Sequence, residues 1–224
     1  MTEVMVKVPF YLEKFNTFPG VRADFIGRVS GVCVDNDREA TVNRLQPAHE
    51  KSLNKLGFSW DQLHLAEQTH GTDIAVIGQG DTVQTWPQVD GLITQCSDVV
   101  LGIYVADCGA VYIVDPVKKV LALLHSGKKG SEGAITSKAI AMMQSEYGSD
   151  PADLHVALAP CIRPPAYEVD FSEQICEQAF TAGVPHKQVT DCEVCTSSDL
   201  DNYYSYRMEK GHTGRMLALL GRVS

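Results

Sequence analysis

Residues 99–130 read VVLGIYVADCGAVYIVDPVKKVLALLHSGKKG, three apolar runs separated by short polar breaks. The runs at 99–105, 111–114 and 120–124 are short, rich in Val, Ile and Leu, and punctuated by Gly, Asp or Pro, so they predict strands. Working outward, 74–77 (IAVI) and 154–158 (LHVAL) predict two more. Residues 38–56, REATVNRLQPAHEKSLNKL, predict one helix or two short ones broken near Pro47, because proline removes an N–H and crowds the preceding turn. Segment 131–147 predicts a helix with Ile135, Ala139, Met142 and Met143 on one face and Ser131 capping its start. A further helix is expected over 172–182. The strands cluster, and the helices do not alternate strictly with them. The expected fold class is therefore α+β rather than a doubly wound sheet. At 224 residues without repeats or linkers, one domain over 1–224 is expected.

Nineteen basic against 28 acidic residues give a formal charge of −9, which argues against broad binding to nucleic acid or anionic membrane. A local basic pocket for a small anion stays compatible with that charge. No apolar run approaches the roughly 20 residues needed to span a bilayer. The opening MTEVMVKVPF lacks the pattern of an export signal, so a cytoplasmic protein is expected. Seven cysteines without such a signal read as reduced thiols, mostly small buried hydrophobes, Cys161 among them. CEVC at 192–195 has no second CxxC or CxxH beside it and is expected to be structurally silent. Histidines 49, 64, 155, 186 and 212 carry no signal beyond ordinary packing or surface.

Chemistry concentrates at strand ends. Asp107 and Cys108 follow the run 99–105, His125 ends the run 120–124, and His70 lies in LAEQTHGTD, 65–73. Two imidazoles and a thiolate suit zinc, and three protein ligands leave an open position for water or substrate. The same groups suit a cysteine nucleophile with a histidine base. Three unrelated polar strand ends are the alternative, because spacing alone does not show convergence.

QTHG at 68–71, VDGLIT at 89–94, ADC at 106–108, HSGKKG at 125–130 and APCI at 159–162 occur in the order of the YfiH-like, or laccase-domain, family. FIGRVSGVC at 25–33 and CTSS at 195–198 followed by YYSYRMEKGHTGRMLALL at 203–220 are similar to its terminal motifs. The resemblance covers nearly the whole chain. That family is also described as multicopper polyphenol oxidases, purine nucleoside phosphorylases and peptidoglycan editing factors. The resemblance implies a four-layer α/β/β/α fold with mixed sheets, and a metal triad at His70, Cys108 and His125. It also places Arg207 and Arg215 in a pocket, where they join Lys129 and Arg28 around a phosphate or other anion. Asp107 has two readings, a turn residue or the group that orients a metal-ligating histidine. The chain departs from the family where H-A-G-W-R-G reads HSGKKG, A-D-C-x-P reads ADCGA and G-P-C-I-G-P-C-C-Y reads APCIRPPAY. Lys128 thus takes an aromatic position and is expected to face solvent. Gly127 and Gly130 are expected to let backbone approach a ligand, with a helix starting near Ser131 turning free N–H groups toward an anion.

The activity implied is zinc-dependent chemistry on purine nucleosides. This means phosphorolysis of adenosine or inosine to base and ribose 1-phosphate, or deamination of adenosine, with nucleoside and phosphate as small-molecule partners. A cysteine–histidine amide hydrolase of the peptidoglycan-editing type is the alternative. Copper-dependent phenol oxidation ranks below both, since one His–Cys–His group lacks the several clusters that multiple coppers need. A non-enzymatic metal-binding module is the fourth possibility, which catalytic silence despite bound zinc would support.

Overall fold

The computed structural model describes residues 8–82 and 84–224. Residues 1–7, most of the segment read above for an export signal, lie outside them. The chain runs through β1 (Val21–Ile26), α1 (Arg38–Lys55), β2 (Leu63–Ala66), β3 (Ile74–Ile77), β4 (Thr85–Trp86) and β5 (Gly91–Thr94). It continues through β6 (Val99–Val105), β7 (Gly109–Asp115), β8 (Val120–Ser126), α2 (Lys128–Glu132) and α3 (Ile135–Tyr147). The last elements are β9 (His155–Leu158), α4 (Phe171–Thr181), β10 (Val189–Asp191) and β11 (Met216–Arg222). One sheet has five strands in the order β1-β11-β6-β2-β4, the other six in the order β10-β9-β7-β8-β5-β3. Both mix parallel and antiparallel pairs.

The side-chain period of two divides each central strand between two cores. On β6, Val99, Leu101, Ile103 and Val105 join the core between the sheets, while Val100 and Tyr104 pack with Leu53 of α1. On β8, Leu121 and Leu123 face the other sheet, whereas Ala122 and Leu124 meet Ile135, Ala139, Ile140 and Met143 of α3 and Ile175 of α4. The layers are therefore α1, the five-stranded sheet, the six-stranded sheet, then α3 with α4. Every residue of β6, β7 and β8 is buried. Both faces are covered, which is why these strands read as continuous apolar runs instead of alternating ones. Each buried Val, Leu or Ile contributes about 1.5–3 kcal/mol.

One helix decides between the expected alternatives, and another differs from expectation. Residues 38–55 form one uninterrupted helix despite Pro47, with Asp37 capping it by accepting the Ala40 N–H at 3.0 Å. Thr41, Leu45, His49 and Leu53 make a buried stripe at four-residue spacing through the proline. Pro47 and Asn43, whose carbonyl loses its partner, are exposed, so water replaces the missing bond. The helix expected over 131–147 is two helices. α2 starts earlier, at Lys128, and the chain bends at Ala134, which has a left-handed φ of 60°. Ser131 is not a cap. It is buried within α2 and shares a 2.9 Å hydrogen bond with the Ser126 hydroxyl. Among the described residues, no helix is long and apolar enough to cross a membrane.

Candidate functional site

Topology explains why three distant strand ends meet. β2 and β6 are parallel neighbours in the five-stranded sheet, so their C-terminal ends lie on the same side. From both ends the chain crosses to the six-stranded sheet, through residues 67–73 to β3 and through 106–108 to β7. His70 and Cys108 sit on these two crossings. β8 runs antiparallel to β7, pairing His125 with Ala110, so its last turn of chain returns beside Cys108. Being odd-numbered, His125 shares the inter-sheet face with Leu121 and Leu123. The ligand atoms of His70, Cys108 and His125 lie within 4.8 Å of one another. The two imidazole rings meet edge to face, 4.9 Å apart at 81°. Among the described residues this is the only such group of three or more. The other five histidines and the CxxC lie outside it.

A carboxylate that carried no assigned role in the sequence organises this group. Asp90 precedes β5, which pairs antiparallel with β8 and brings it opposite His125. It is fully buried and takes the His125 Nδ1–H at 2.7 Å. Because an ionised carboxylate only accepts, Nδ1 carries the proton and the other ring nitrogen is free for a ligand or a base role. Asp90 also accepts the backbone N–H of Thr69 at 3.1 Å, of His70 at 3.0 Å and of Gly71 at 2.7 Å, with the Thr69 hydroxyl at 3.1 Å. These bonds hold His70 in a left-handed conformation, φ 61°. One side chain thus orients both histidines. Asp107 does not do this. Its carboxylate accepts the Thr196 hydroxyl at 2.6 Å and the Arg207 N–H at 2.8 Å, so it fixes the turn and the C-terminal loop. Gly127 gives room to the thiol, since an added Cβ would stand 2.4 Å from the Cys108 sulfur.

The electrostatics favour a charged chain. Burial raises the Cys108 thiol, but hydrogen bonds and charge from His125 and then His70 outweigh it and lower its pKa to about 6. Burial lowers His125, while Asp90 and Cys108 raise it to about 9. Burial raises Asp90, yet the His125 bond and the Gly71 and Thr69 N–H groups bring it to about 2. A thiolate between imidazoles is a competent metal ligand or nucleophile. Tetrahedral zinc with bonds of about 2.0–2.3 Å needs donors roughly 3.3–3.8 Å apart. The three donors fit such an ion with small side-chain adjustments, and binding it would release a proton from His125.

The triad floors a cleft of about 820 Å³. Arg207 and Arg215 line it, as expected from sequence, and so do Lys129 and Lys128. Lys128 is half-buried and Lys129 exposed, the reverse of the expected contrast. Arg28 is not part of the lining. Its guanidinium pairs with Glu209 at 2.7 Å, donates to the Tyr203 carbonyl and covers the Tyr204 ring at 4.3 Å. It clamps the C-terminal loop to the segment after β1. Arg38, the first residue of α1, lines the cleft instead, with Tyr104, Tyr167 and Tyr206 as aromatic walls. Arg207 lies over Tyr167 at 4.9 Å and pairs with Glu168 at 2.8 Å. Arg215 lies 5.9 Å from the Tyr206 ring, and burial, then the charge of Arg38, lower its pKa. α2 has only five residues, so it adds little to anion binding beside these side chains.

A family model described as "Multi-copper polyphenol oxidoreductase laccase" matches residues 29–181 and 169–223. The chain belongs to this family. Within the laccase-domain family, it is 30% identical over 229 residues to a protein named purine nucleoside phosphorylase YlmD from Geobacillus stearothermophilus, covering 86% of this chain and 82% of that one. It is 25% identical to a protein of Staphylococcus epidermidis also named purine nucleoside phosphorylase, over 99% of this chain and all of its relative. The crystal structure of YlmD from Geobacillus stearothermophilus superposes with a TM-score of 0.81 at 27% identity, covering 92% of this chain and 93% of that one. A Bacillus licheniformis protein, YfiH, shares the fold with the same TM-score at 23% identity, over 90% of this chain and 92% of that one.

Proposed function

We propose that this member of the laccase-domain family is a zinc enzyme that cleaves purine nucleosides by phosphorolysis. The observation that carries the reading is the placement of His70, Cys108 and His125 at the floor of a cleft walled by cations and aromatic rings. The names of the relatives agree with it. Two imidazoles and one thiolate suit zinc with an open fourth position, and a single group does not meet the needs of multicopper chemistry. Zinc, when bound, supplies Lewis acidity toward an oxygen or nitrogen of the reactants. The protein does the rest. Asp90 fixes the ring of His125 and the backbone of His70. Arg215 and Arg38 hold a phosphate dianion beside Cys108, and Arg207 and the lysines of the lining add positive charge along the cleft. A phosphate oxygen attacks C1′ of the ribose, the glycosidic C–N bond breaks, and the base leaves with the electron pair and takes up a proton. The products are base and ribose 1-phosphate. Deamination of adenosine, in which water displaces ammonia at C6, is the companion activity we propose for the same open position.

The test is a product screen of metal-loaded protein with adenosine or inosine, with and without orthophosphate. Release of base that needs phosphate and yields ribose 1-phosphate is the expected result. Inertness toward all purine nucleosides despite bound metal would remove the reading.

One observation favours a second reading. Cys108, His125 and Asp90 form a nucleophile–base–carboxylate series, with the thiol lowered to about 6. An amide hydrolase of the peptidoglycan-editing type would use it as such, with His70 positioning substrate. Covalent trapping of Cys108 in active, metal-free protein would select this reading.

A further inference from the structure

The cleft carries more positive charge than a neutral nucleoside and one phosphate would use. Six cationic side chains line it, Arg38, Lys128, Lys129, Arg207, Lys210 and Arg215, in a chain of formal charge −9. Among the described residues, the lining contributes one opposing carboxylate, Asp107, and Glu168 opposes them from its ion pair with Arg207. Six cations against these two carboxylates and the net single negative charge of the Cys108–His125–Asp90 chain leave an excess of three positive charges, before any metal is counted. A phosphate group brings about −1.5 to −2 at neutral pH. One inorganic phosphate therefore leaves part of the excess unbalanced.

The cations divide between two places. Arg38 and Arg215 lie close enough to repel, and Arg215 also feels the charges of Asp107 and Cys108, so this pair stands at the reacting end. Lys128 follows His125 by three residues, on the wall that carries Glu168 and Tyr167. Glu168 feels its charge but is already held by Arg207 at 2.8 Å. Neither Lys128 nor Lys129 makes an ion pair among the described residues. Lys128 is nevertheless half-buried instead of extended into water. Its stem is partly covered while the side chain lines the cleft, so the ammonium is available to a ligand there.

We propose that the nucleoside accepted by this cleft carries its own phosphate monoester, and that Lys128 with Lys129 forms the subsite for it. The substrate class is then a purine nucleoside 5′-phosphate. The Arg38–Arg215 pair is left for the co-substrate phosphate. The assignment rests on the nucleoside reading above and narrows it.

The experiment is calorimetric titration of the metal-loaded full chain with adenosine and with adenosine 5′-monophosphate, at low salt and without orthophosphate. The monophosphate is expected to bind about tenfold tighter, the size of one charge-assisted hydrogen bond. That advantage should shrink as salt is raised. Lys128→Trp, which removes the charge but keeps the side chain's bulk, should bring the ratio of the two affinities close to one. Lys128→Ala serves the same purpose if tryptophan disturbs folding or metal content. Equal affinities in the unaltered protein would overturn the proposal. So would a ratio that survives in Lys128→Ala and in the Lys128→Ala/Lys129→Ala double variant. If adenosine is cleaved but the monophosphate has no advantage, the subsite falls and the nucleoside reading stands. If neither ligand binds, both fall.

Discussion

Cys108 and the thiols of Cys161 and Cys192 are the same chemical group in two neighbourhoods, and the protein gives them opposite properties. Cys108 lies on a crossing between sheets, at the floor of a cleft, with two imidazoles beside it. Its thiol is lowered to about 6. The backbones of Cys161 and Cys195 pair in an isolated β-bridge where the chain after β9 meets the chain after β10, with both thiols free. Burial raises Cys161 well above the ordinary thiol range and Cys192 to about 11. The cation nearby does not rescue them, because Arg163 is engaged by Asp191, Ser172 and the Val194 carbonyl. A CxxC spacing says little about reactivity. The charges facing the sulfur decide it.

The sharpest way to break this contrast is to remove a ligand from each side. His125→Ala should abolish metal binding, a loss beyond the roughly 10–100-fold typical when only an outer partner is removed. Cys192→Ser should leave the metal stoichiometry unchanged. Elemental analysis after exhaustive dialysis reads both. The reverse pattern would mean that the centre lies at the wrong thiols.

Alkylation of metal-free protein measures the contrast directly. The thiolate is the reactive form, so labelling of Cys108 should rise through about pH 6 and flatten above it, while Cys192 stays protonated far beyond neutrality. At pH 7 the difference in thiolate fraction is about 10⁴-fold. The lower intrinsic nucleophilicity of an acidic thiol returns part of it, leaving about a hundredfold preference for Cys108. Mass spectrometry of the labelled peptides checks this, and equal labelling would refute it.

Asp90→Asn keeps the shape of the side chain but not its charge, so it separates orientation from ligation. Metal affinity should fall by about 10–100-fold without loss of fold. A competition titration with a chelating dye gives the number, and an unchanged affinity would remove Asp90 from the site. Arg28→Ala is the smallest effect. The arginine clamps Glu209 and the Tyr203 carbonyl outside the cleft. Chemical denaturation should show a loss of about 1–3 kcal/mol, the scale of hydrogen bonds to charged groups. Phosphate affinity of the folded variant should be unchanged.

Much of this was readable in the sequence, for identifiable reasons. β6 and β3 are expected at the residues they occupy; β6, covered on both faces, announces itself as an apolar run, and β3 reads the same way although most of it is only partly covered. His70, Cys108 and His125 were visible as strand ends with ligand chemistry. Their meeting was not, since it depends on β2 and β6 being parallel neighbours and on the pairing of β8 with β7. Asp90 carried a faint signal, the aspartate in VDG before β5, and its role depends on standing opposite His125 across a sheet. β11 starts within YYSYRMEKGHTGRMLALL and runs two residues past it, and it is not among the strands expected from the sequence. β1, β2 and β5 also escaped, being short and only partly apolar. Arg28 and Arg38 exchanged roles for a local reason. Glu209 captures the first, whereas the start of α1 delivers the second to the cleft.

The most direct test of the account is anomalous scattering at the zinc edge from crystals of freshly purified protein, supported by elemental analysis of the same sample. The account predicts one zinc per chain, bound by His70, Cys108 and His125. A metal-free triad in active protein, or zinc held instead near Cys192 and Cys195, would contradict it.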